Sequence, residues 1–410
     1  MYWFKSKRFD AKLFSNEEGI PLIFPCIFCH ALANNRAIYK LNYTNDGYRR
    51  IKGAELVKTN ISENTSEIIN ELKNFLLWAE VYCLDKKLIS FDKHHNFPAE
   101  LLNHYLNNVL IQIKGKSLEM AKKALIALRA YYNFLAFHGF TELKNLEITK
   151  DSQAIARENT NHRGVIKYFS PGLRAQLYAN ARCLRDECIL RAAGTTGVRA
   201  KENIGFLLND FVVGNKKYMG LLSLFQQLEQ SPEQEQFEFW LQGKYSKGRR
   251  GAGGKSRKLY IPRDTLHRFK QYYDKERPNC DIDNLFVTEP SSGYLKAISP
   301  ACVQVLFKHA RKKILLKQKE GLLPDHLDQL QEKQTYHILR HSFGTDTFYD
   351  ALLINGLRVD NVTPTSQPYL VTAALLGHVV NGRGAPATTK EYIRSCHLKI
   401  ELNNFNHREK

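Results

Sequence analysis

Arg199, Lys244, His337, Arg340, His378 and Tyr392 lie in five short strings within the last 216 residues: TTGVRAKE, WLQGKYSKG, TYHILRHSFGTD, ALLGH and ATTKEYIR. Two guanidinium forks, an ammonium, two imidazoles and one phenol suit a single task. The cations can hold a phosphate diester while the phenol attacks its phosphorus. No metal-ligand set and no nucleotide-binding loop competes with this inventory. The expected chemistry is metal-free cleavage and rejoining of a DNA strand.

Each string suits its residue. Arg199 follows Gly197-Val198 at an expected helix start, where backbone amides and an arginine fork can grip phosphate oxygens together. Lys244 ends an expected strand and opens a run of cations without a carboxylate: Lys244, Lys247, Arg249, Arg250, Lys255, Arg257 and Lys258. Such a run can place a cationic finger in a groove, with one lysine giving a proton to a leaving oxygen. GGKS within it imitates the end of a phosphate-binding loop, but that loop needs glycine where Arg249 stands. His337 and Arg340, spaced i and i+3, share one helical face. His337 and His341 also form an H-x-x-x-H pair, yet a zinc-protease helix needs Glu where Ile338 stands. His378 closes the apolar run LVTAALL. Thr388-x-x-Glu391 is a capping box that sets Tyr392 near a helix N-terminus, where the helix dipole and nearby cations stabilise a phenolate.

The charge balance agrees with a polyanionic partner. The 410-residue chain has 60 Lys and Arg against 41 Asp and Glu, a net charge of +19, with 43% apolar and 11% aromatic residues. This excludes a disordered chain and favours nucleic acid. Eight cysteines lack the density of a disulfide scaffold. MYWFKSKRFDAKLF is charged rather than a signal peptide, and no run of 18 uncharged apolar residues spans a membrane. The expected setting is a reduced bacterial cytoplasm, beside the nucleoid. Cys26-x-x-Cys29-His30 matches the haem-attachment pattern literally, but haem attachment belongs to exported proteins, and core thiols are expected.

These residues need a scaffold, and the expected fold class is mainly α with a small β-sheet (α+β). Residues 1–60 read as a separate N-terminal accessory module, with DNA contact and plain elaboration as its two readings, and with IPLIFPCIFCHALA and AIYKLNYTNDGYRRI as extended segments around turns. Residues 62–155 show helical periodicity (Ile68, Leu72, Phe75, Leu76, Ala79) and predict a bundle of about four helices. Lys122, Lys123 and Arg129 lie off its apolar stripe as candidate DNA contacts. A polar linker is expected at about 150–165, QQLEQSPEQEQ as a surface loop, and residues 165–400 as a mainly helical catalytic domain. Ser170-Pro171 opens its first helix. FEFWLQGKYSKGRRGAGGKSRKLYIP is its strand, glycine-rich turn and strand. Residues 401–410 form a tail.

The ordered set TGVRAKE, GKYSK, HILRHSFGT, LLGH and TTKEYI closely resembles the tyrosine recombinase (phage integrase) family over about residues 62–400. The resemblance implies a helical core-binding domain followed by the catalytic domain. It implies that Tyr392 attacks the scissile phosphate to give a 3′-phosphotyrosyl enzyme and a free 5′-hydroxyl. Arg199 and Arg340 stabilise charge on the non-bridging oxygens, and Lys244 is the general acid. His337 assists proton transfer from the tyrosine and His378 hydrogen-bonds the phosphate. Lys247, Arg249, Arg250, Lys255 and Arg257 are the accompanying DNA contacts. Neither a metal nor ATP is implied. The implied partners are double-stranded DNA, a homo-tetramer on two DNA sites exchanging through a Holliday junction, and directionality or DNA-bending factors. The long spacings around Lys244 and before His378, and the VVNGRGAP insertion, depart from compact members. They leave Lys247 as a rival general acid. The reading is a site-specific recombinase of a mobile element. Its alternatives are a non-catalytic DNA-binding accessory protein with a recombinase fold, or a type IB topoisomerase-like enzyme.

Overall fold

The computed structural model describes residues 2–5, 12–16, 18–45, 51–61, 65–86, 89–161, 167–246, 254–289, 294–323, 329–378, 380, 389, 396 and 399. The chain divides into two compact units, 1–164 and 165–410. Among the described residues helices dominate and each of the four sheets has two strands, so the architecture is the α+β class expected.

The first unit opens with an antiparallel hairpin, β1 (Tyr2–Lys5) and β2 (Lys12–Ser15), followed by α1 (Ile23–Asn35). A second hairpin joins β3 (Ala37–Asn45) to β4 (Ile51–Asn60). The helices α2 (Thr65–Lys86), α3 (Ala99–His104), α4 (Leu118–Phe137) and α5 (Lys150–Asn161) complete it, with α3 running on into a wider π turn over Tyr105–Ile113.

Two expectations are corrected here. IPLIFPCIFCHALA is helix α1 rather than extended chain. Pro25, Phe28, Cys29 and Leu32 recur at helical spacing, so one face is buried, and Pro25 in the first turn lacks an N–H that would in any case have no helical partner. The supposed linker is helical to Asn161. The Thr149 hydroxyl caps its start by accepting from the Ser152 amide, and Ala156 is buried beside Ile111, Ala121 and Ile148.

Residues 1–60 also share one core with the helices that follow, which differs from a separate module. Phe28 meets Tyr131 and Phe134 edge-on at 5.4 and 5.5 Å, and the buried Asn133 amide donates to the Tyr39 carbonyl. Cys29 is fully buried, and burial pushes its thiol up to about 12, while Cys26 hydrogen-bonds with the Phe14 backbone. Both are core thiols.

The second unit contains α6 (Pro171–Ala179), α7 (Leu184–Thr196), the hairpin β5 (Phe211–Val213) and β6 (Lys216–Tyr218), and α8 (Leu221–Gln230). The hairpin β7 (Gln236–Leu241) and β8 (Arg257–Pro262) follows, then α9 (Arg263–Lys275), α10 (Pro300–Lys319), α11 (His337–Ile354) and α12 (Gln367–Leu375). Ser170 caps α6 as expected, accepting from the Leu173 amide at 3.2 Å. The strand pair around the glycine-rich segment is also as read. Phe237, Phe239 and Leu241 alternate inward against Leu259 and Ile261, and pack with Phe206, Leu266 and Phe269. The polar stretch at 226–236 is helical to Gln230, because Leu228 completes an apolar face. Beyond it, Arg263 donates to the carbonyls of Leu228, Ser231 and Gln234. No helix among the described residues is long and apolar enough to cross a membrane.

Because α1 and α4 interlock through Phe28, the first unit should lose stability as one body. Phe28→Ala removes a fully packed ring and is expected to cost about 3–5 kcal/mol. Hydrogen exchange on the full chain should then show α1, β3 and α4 amides losing protection together. Loss confined to residues before 60 would instead mark a separable module.

Candidate active site

The site begins at the C-terminal end of α7. Gly197 terminates that helix with φ +66°, a left-handed conformation, and a Cβ there would meet Phe343 Cδ1 at 2.4 Å. The sharp turn sets Arg199 at the cap of a short 3₁₀ helix, Ala200–Gly205. Glu202, three residues on, receives the Arg199 amide at 2.8 Å and Arg199 Nη1 at 2.8 Å.

Glu202 is fully buried and gathers the rest of the site. Its carboxylate accepts from Arg257 Nη1 and Nη2 at 3.2 and 3.0 Å, and from Ser246 Oγ at 2.9 Å; Arg340 Nη1 stands 3.9 Å away. Burial alone would raise its pKa. Arg257, Arg340 and Arg199 overcome that and pull the carboxyl down to about 2. One anion thus holds three arginines from three distant parts of the chain. Through Ser246 it also ties down the turn that carries Lys244.

Arg340 lies in the first turn of α11 and is wholly buried. Its guanidinium donates to the carbonyls of Gly197 and Leu376, the C-terminal caps of α7 and α12. Carbonyls at helix C-termini lack helical partners and carry the negative end of the dipole, so one cation satisfies both ends. Tyr336 fixes the start of α11 from below. Its hydroxyl donates to the Ile189 carbonyl at 3.0 Å and accepts from Asn203 Nδ2 at 2.9 Å.

The turn after α12 delivers His378. Gly377 has φ +67°, and a Cβ there would lie 2.8 Å from Arg257 Nη1. His378 Nε2 is 3.3 Å from Arg340 Nη2, and Nδ1 is 2.8 Å from Thr389 Oγ1. A guanidinium can only donate, so Nε2 accepts and the ring proton sits on Nδ1. Burial, then the charges of Arg340, Arg199 and Arg257, lowers this imidazole to about 3. His337 is exposed, yet the protein packed around it and the cations Arg340, Arg199 and Lys167 lower it to about 4. Its ring stands edge-on to buried His341 at 4.9 Å; burial and then His337 lower His341 to about 3. Both site histidines are therefore neutral at physiological pH.

Lys244 lies in the 3₁₀ turn Gly243–Tyr245 at the end of β7, exposed, with its ammonium 4.9 Å from the Tyr245 ring. The Gly254 amide donates to the Gly243 carbonyl at 2.7 Å and closes the base of the hairpin. Tyr392, Lys247, Arg249 and Arg250 lie outside the described residues, as do residues 401–410. The structure therefore brings Arg199, Arg340 and His378 together, with His337 at the same helix start and Lys244 on a turn tied to Glu202.

Of the expected DNA contacts, Lys255 and Lys122 are exposed. Arg257 is corrected: it is 6% exposed, with both Nη atoms on Glu202, and belongs to the framework of the site. Lys123 pairs with Glu67 and Glu119 at 3.7 and 3.8 Å, and Arg129 Nε donates to the Leu146 carbonyl at 3.1 Å. Sequence reasoning did not single out Glu202, Arg257 as a buried partner, Ser246 or Thr389. The available signal was spacing: Glu202 sits three residues after Arg199, where a capping carboxylate reaches back to the cap amide. Among the described residues, no group of three His, Cys, Asp or Glu is placed to hold a metal ion.

No family model matches the chain, and no curated protein matches it. Among solved structures it is similar to XerA recombinase, with 18% identity, a TM-score of 0.36, and coverage of 94% of this chain and 98% of the other. It is also similar to the Tn1549 transposon integrase (residues 82–397) in complex with a circular intermediate DNA, with 13% identity, a TM-score of 0.45, and coverage of 83% and 94%. A lambda integrase (75–356) dimer bound to a COC′ core site gives 13% identity, a TM-score of 0.42, and coverage of 82% and 90%.

Two expectations follow from the buried charges. Glu202→Gln leaves three arginines without their counter-charge, and a broken buried network of this kind costs about 3–5 kcal/mol, read as a lower urea midpoint at pH 7. The wild-type protein should lose stability with acid in two stages of one sign. The depressed histidines favour the neutral, folded form, so their contribution is present above 6.5 and declines as pH falls toward about 3–4. The Glu202 contribution is present above 4.5 and declines toward about 2. A urea midpoint flat from pH 6.5 to 4 would contradict the histidine stage, and one flat from pH 4.5 to 2 would contradict the Glu202 stage.

Proposed function

We propose that the chain is a site-specific DNA recombinase that cuts and rejoins a strand through Tyr392, within the tyrosine recombinase family it resembles. One observation carries the reading: segments far apart in sequence converge so that three arginine forks surround one buried carboxylate, with a neutral imidazole against one of those forks. A structural ion pair needs one arginine. A cluster with net positive charge beside a half-buried fork, Arg199, with 27% of its side chain exposed, suits an incoming phosphate diester.

In this mechanism the Tyr392 oxygen attacks the scissile phosphorus as the bond to the 5′-oxygen breaks. Arg199 and Arg340 take the charge on the non-bridging oxygens. His337, held neutral, accepts the phenol proton, and the Lys244 ammonium (or Lys247 in the rival assignment) gives a proton to the leaving 5′-oxygen. His378 hydrogen-bonds the phosphate. The phosphotyrosyl bond conserves the energy of the diester, so the reverse attack by a 5′-hydroxyl rejoins the strand without ATP. Integration or excision of a mobile element, by a tetramer on two DNA sites, is the biological setting we assign. A non-catalytic accessory protein would not need a cationic pocket with a neutral base beside it.

The test is covalent trapping on nicked suicide duplexes bearing the element's ends, in chelator. The wild type should form a DNA–protein adduct, and Tyr392→Phe should form none while binding DNA equally well. Arg199→Ala should slow adduct formation by about 10²–10³-fold, the size of a lost charge-stabilising donor. Tight binding with no adduct would favour the accessory protein. Adducts and supercoil relaxation on any sequence would favour a type IB topoisomerase-like enzyme.

A further inference from the structure

The first unit holds an open strand edge inside a groove. Among the described residues β3 pairs with β4 alone, so its other edge is unpaired. The Ile61 amide donates to the Arg36 carbonyl at 2.8 Å, in the register that sets Ala37 opposite Asn60. Backbone groups alternate along an antiparallel strand. Ile38, Lys40 and Asn42 therefore point theirs at β4, while Tyr39, Leu41 and Tyr43 point theirs away. The Tyr39 carbonyl agrees with this parity, because it accepts from Asn133 Nδ2 on α4 at 2.9 Å. Among the described residues, nothing bonds to the outward groups of Leu41 and Tyr43. They open into a groove of about 560 Å³ between β3, α4 and the stretch 143–146.

The walls of the groove define what fits it. Tyr43, Ile126 and Leu143 line it and are 55%, 51% and 44% exposed, a cluster of large apolar side chains open to solvent. Its charged lining is Lys40, Arg129 and Lys144, with no carboxylate among the described residues. Arg129 donates to the Leu146 carbonyl and Lys144 to Asn96 Oδ1 at 3.3 Å, so both rest on neutral acceptors. An unpaired strand edge offers N–H donors and C=O acceptors in turn, the complement of another extended peptide. A phosphodiester backbone brings acceptors only and leaves the strand carbonyls unanswered. A second copy of this chain, at +19, is repelled overall.

We propose that this groove docks an acidic, extended segment of a partner protein, which adds to the free edge of β3 as a third strand. Its alternate apolar side chains would rest on Ile126 and Leu143, and its carboxylates would lie beside Lys40 and Lys144. The inference goes beyond the recombinase reading and does not depend on it.

The experiment uses the full-length protein and, as probe, a capped heptapeptide of alternating Glu and Val. Fluorescence anisotropy should show saturable binding, and hydrogen exchange should show the Leu41 and Tyr43 amides gaining protection as peptide is added. Two further peptides, N-methylated on the odd or on the even residues, test strand pairing without any protein variant. Successive amides point to opposite sides of a strand, so one set should abolish binding and the other leave it within about threefold. Leu143→Asp should weaken binding at least about tenfold by removing an apolar contact and adding a like charge. Lys40→Glu should weaken it about three- to fivefold, the size of one exposed ion pair. The proposal is overturned by an absence of saturable binding up to millimolar peptide, or by equal binding of the two methylated sets. Unchanged exchange at Leu41 and Tyr43, or unchanged affinity in either variant, also overturns it. A short DNA duplex that displaces the peptide and protects the same two amides overturns it as well, and would assign the groove to nucleic acid.

Discussion

A single buried carboxylate organises the second unit. Glu202 has no exposure to solvent, and a lone carboxylate there would be protonated or expelled. It stays ionised because Arg199, Arg257 and Arg340 surround it. The dependence is mutual, since three cations cannot be packed together without it. Each arginine arrives on a different element: a 3₁₀ turn, a strand and a long helix. The contact that neutralises the cluster is therefore the contact that fixes their relative positions. Three guanidinium groups against one carboxylate leave the cluster with a surplus of positive charge.

The helix ends complete the device. Gly197 and Leu376 end α7 and α12 with carbonyls that need donors, and Arg340 supplies both. His378 follows directly from the second of these ends, so its place is inherited from Arg340. The glycines at 197 and 377 are required by left-handed backbone and by the close approach of Phe343 and Arg257. The side chains of the candidate site are thus held by the same interactions that close the core, which is the rigidity that the charge stabilisation proposed for them requires.

Much of this was legible in the sequence because the site is built from local strings. Arg199 after a helix-ending glycine, His337 and Arg340 three apart, and His378 after an apolar helix each announce their own geometry. The β7–β8 pair could be read from alternation, and Ser170-Pro171 from capping chemistry. What was not legible depended on long-range pairing. Arg257 looks in sequence like one of seven surface cations, and only the fold shows that it lies opposite Glu202. Thr389 is one of two adjacent threonines, and only His378 Nδ1 distinguishes it. Helix α1 was misread because Pro25 and a dense run of large apolar residues suggest extended chain, whereas the helical periodicity of Phe28, Cys29 and Leu32 prevails once α4 covers them. The helix at 150–161 is hard to read in sequence because it is mostly polar and, of its described side chains, only Ser152 and Ala156 are buried.

The central claim is that this arginine cluster receives the scissile phosphate. The most direct measurement is a crystal structure of the Tyr392→Phe protein on an intact duplex carrying its recombination site. The account predicts one backbone phosphate with its non-bridging oxygens within hydrogen-bonding distance of the Arg199 and Arg340 guanidinium groups and of His378 Nε2, and Glu202 still bridging Arg257. A duplex bound elsewhere on the unit, with Arg199 and Arg340 more than a water's width from any phosphate, would contradict it.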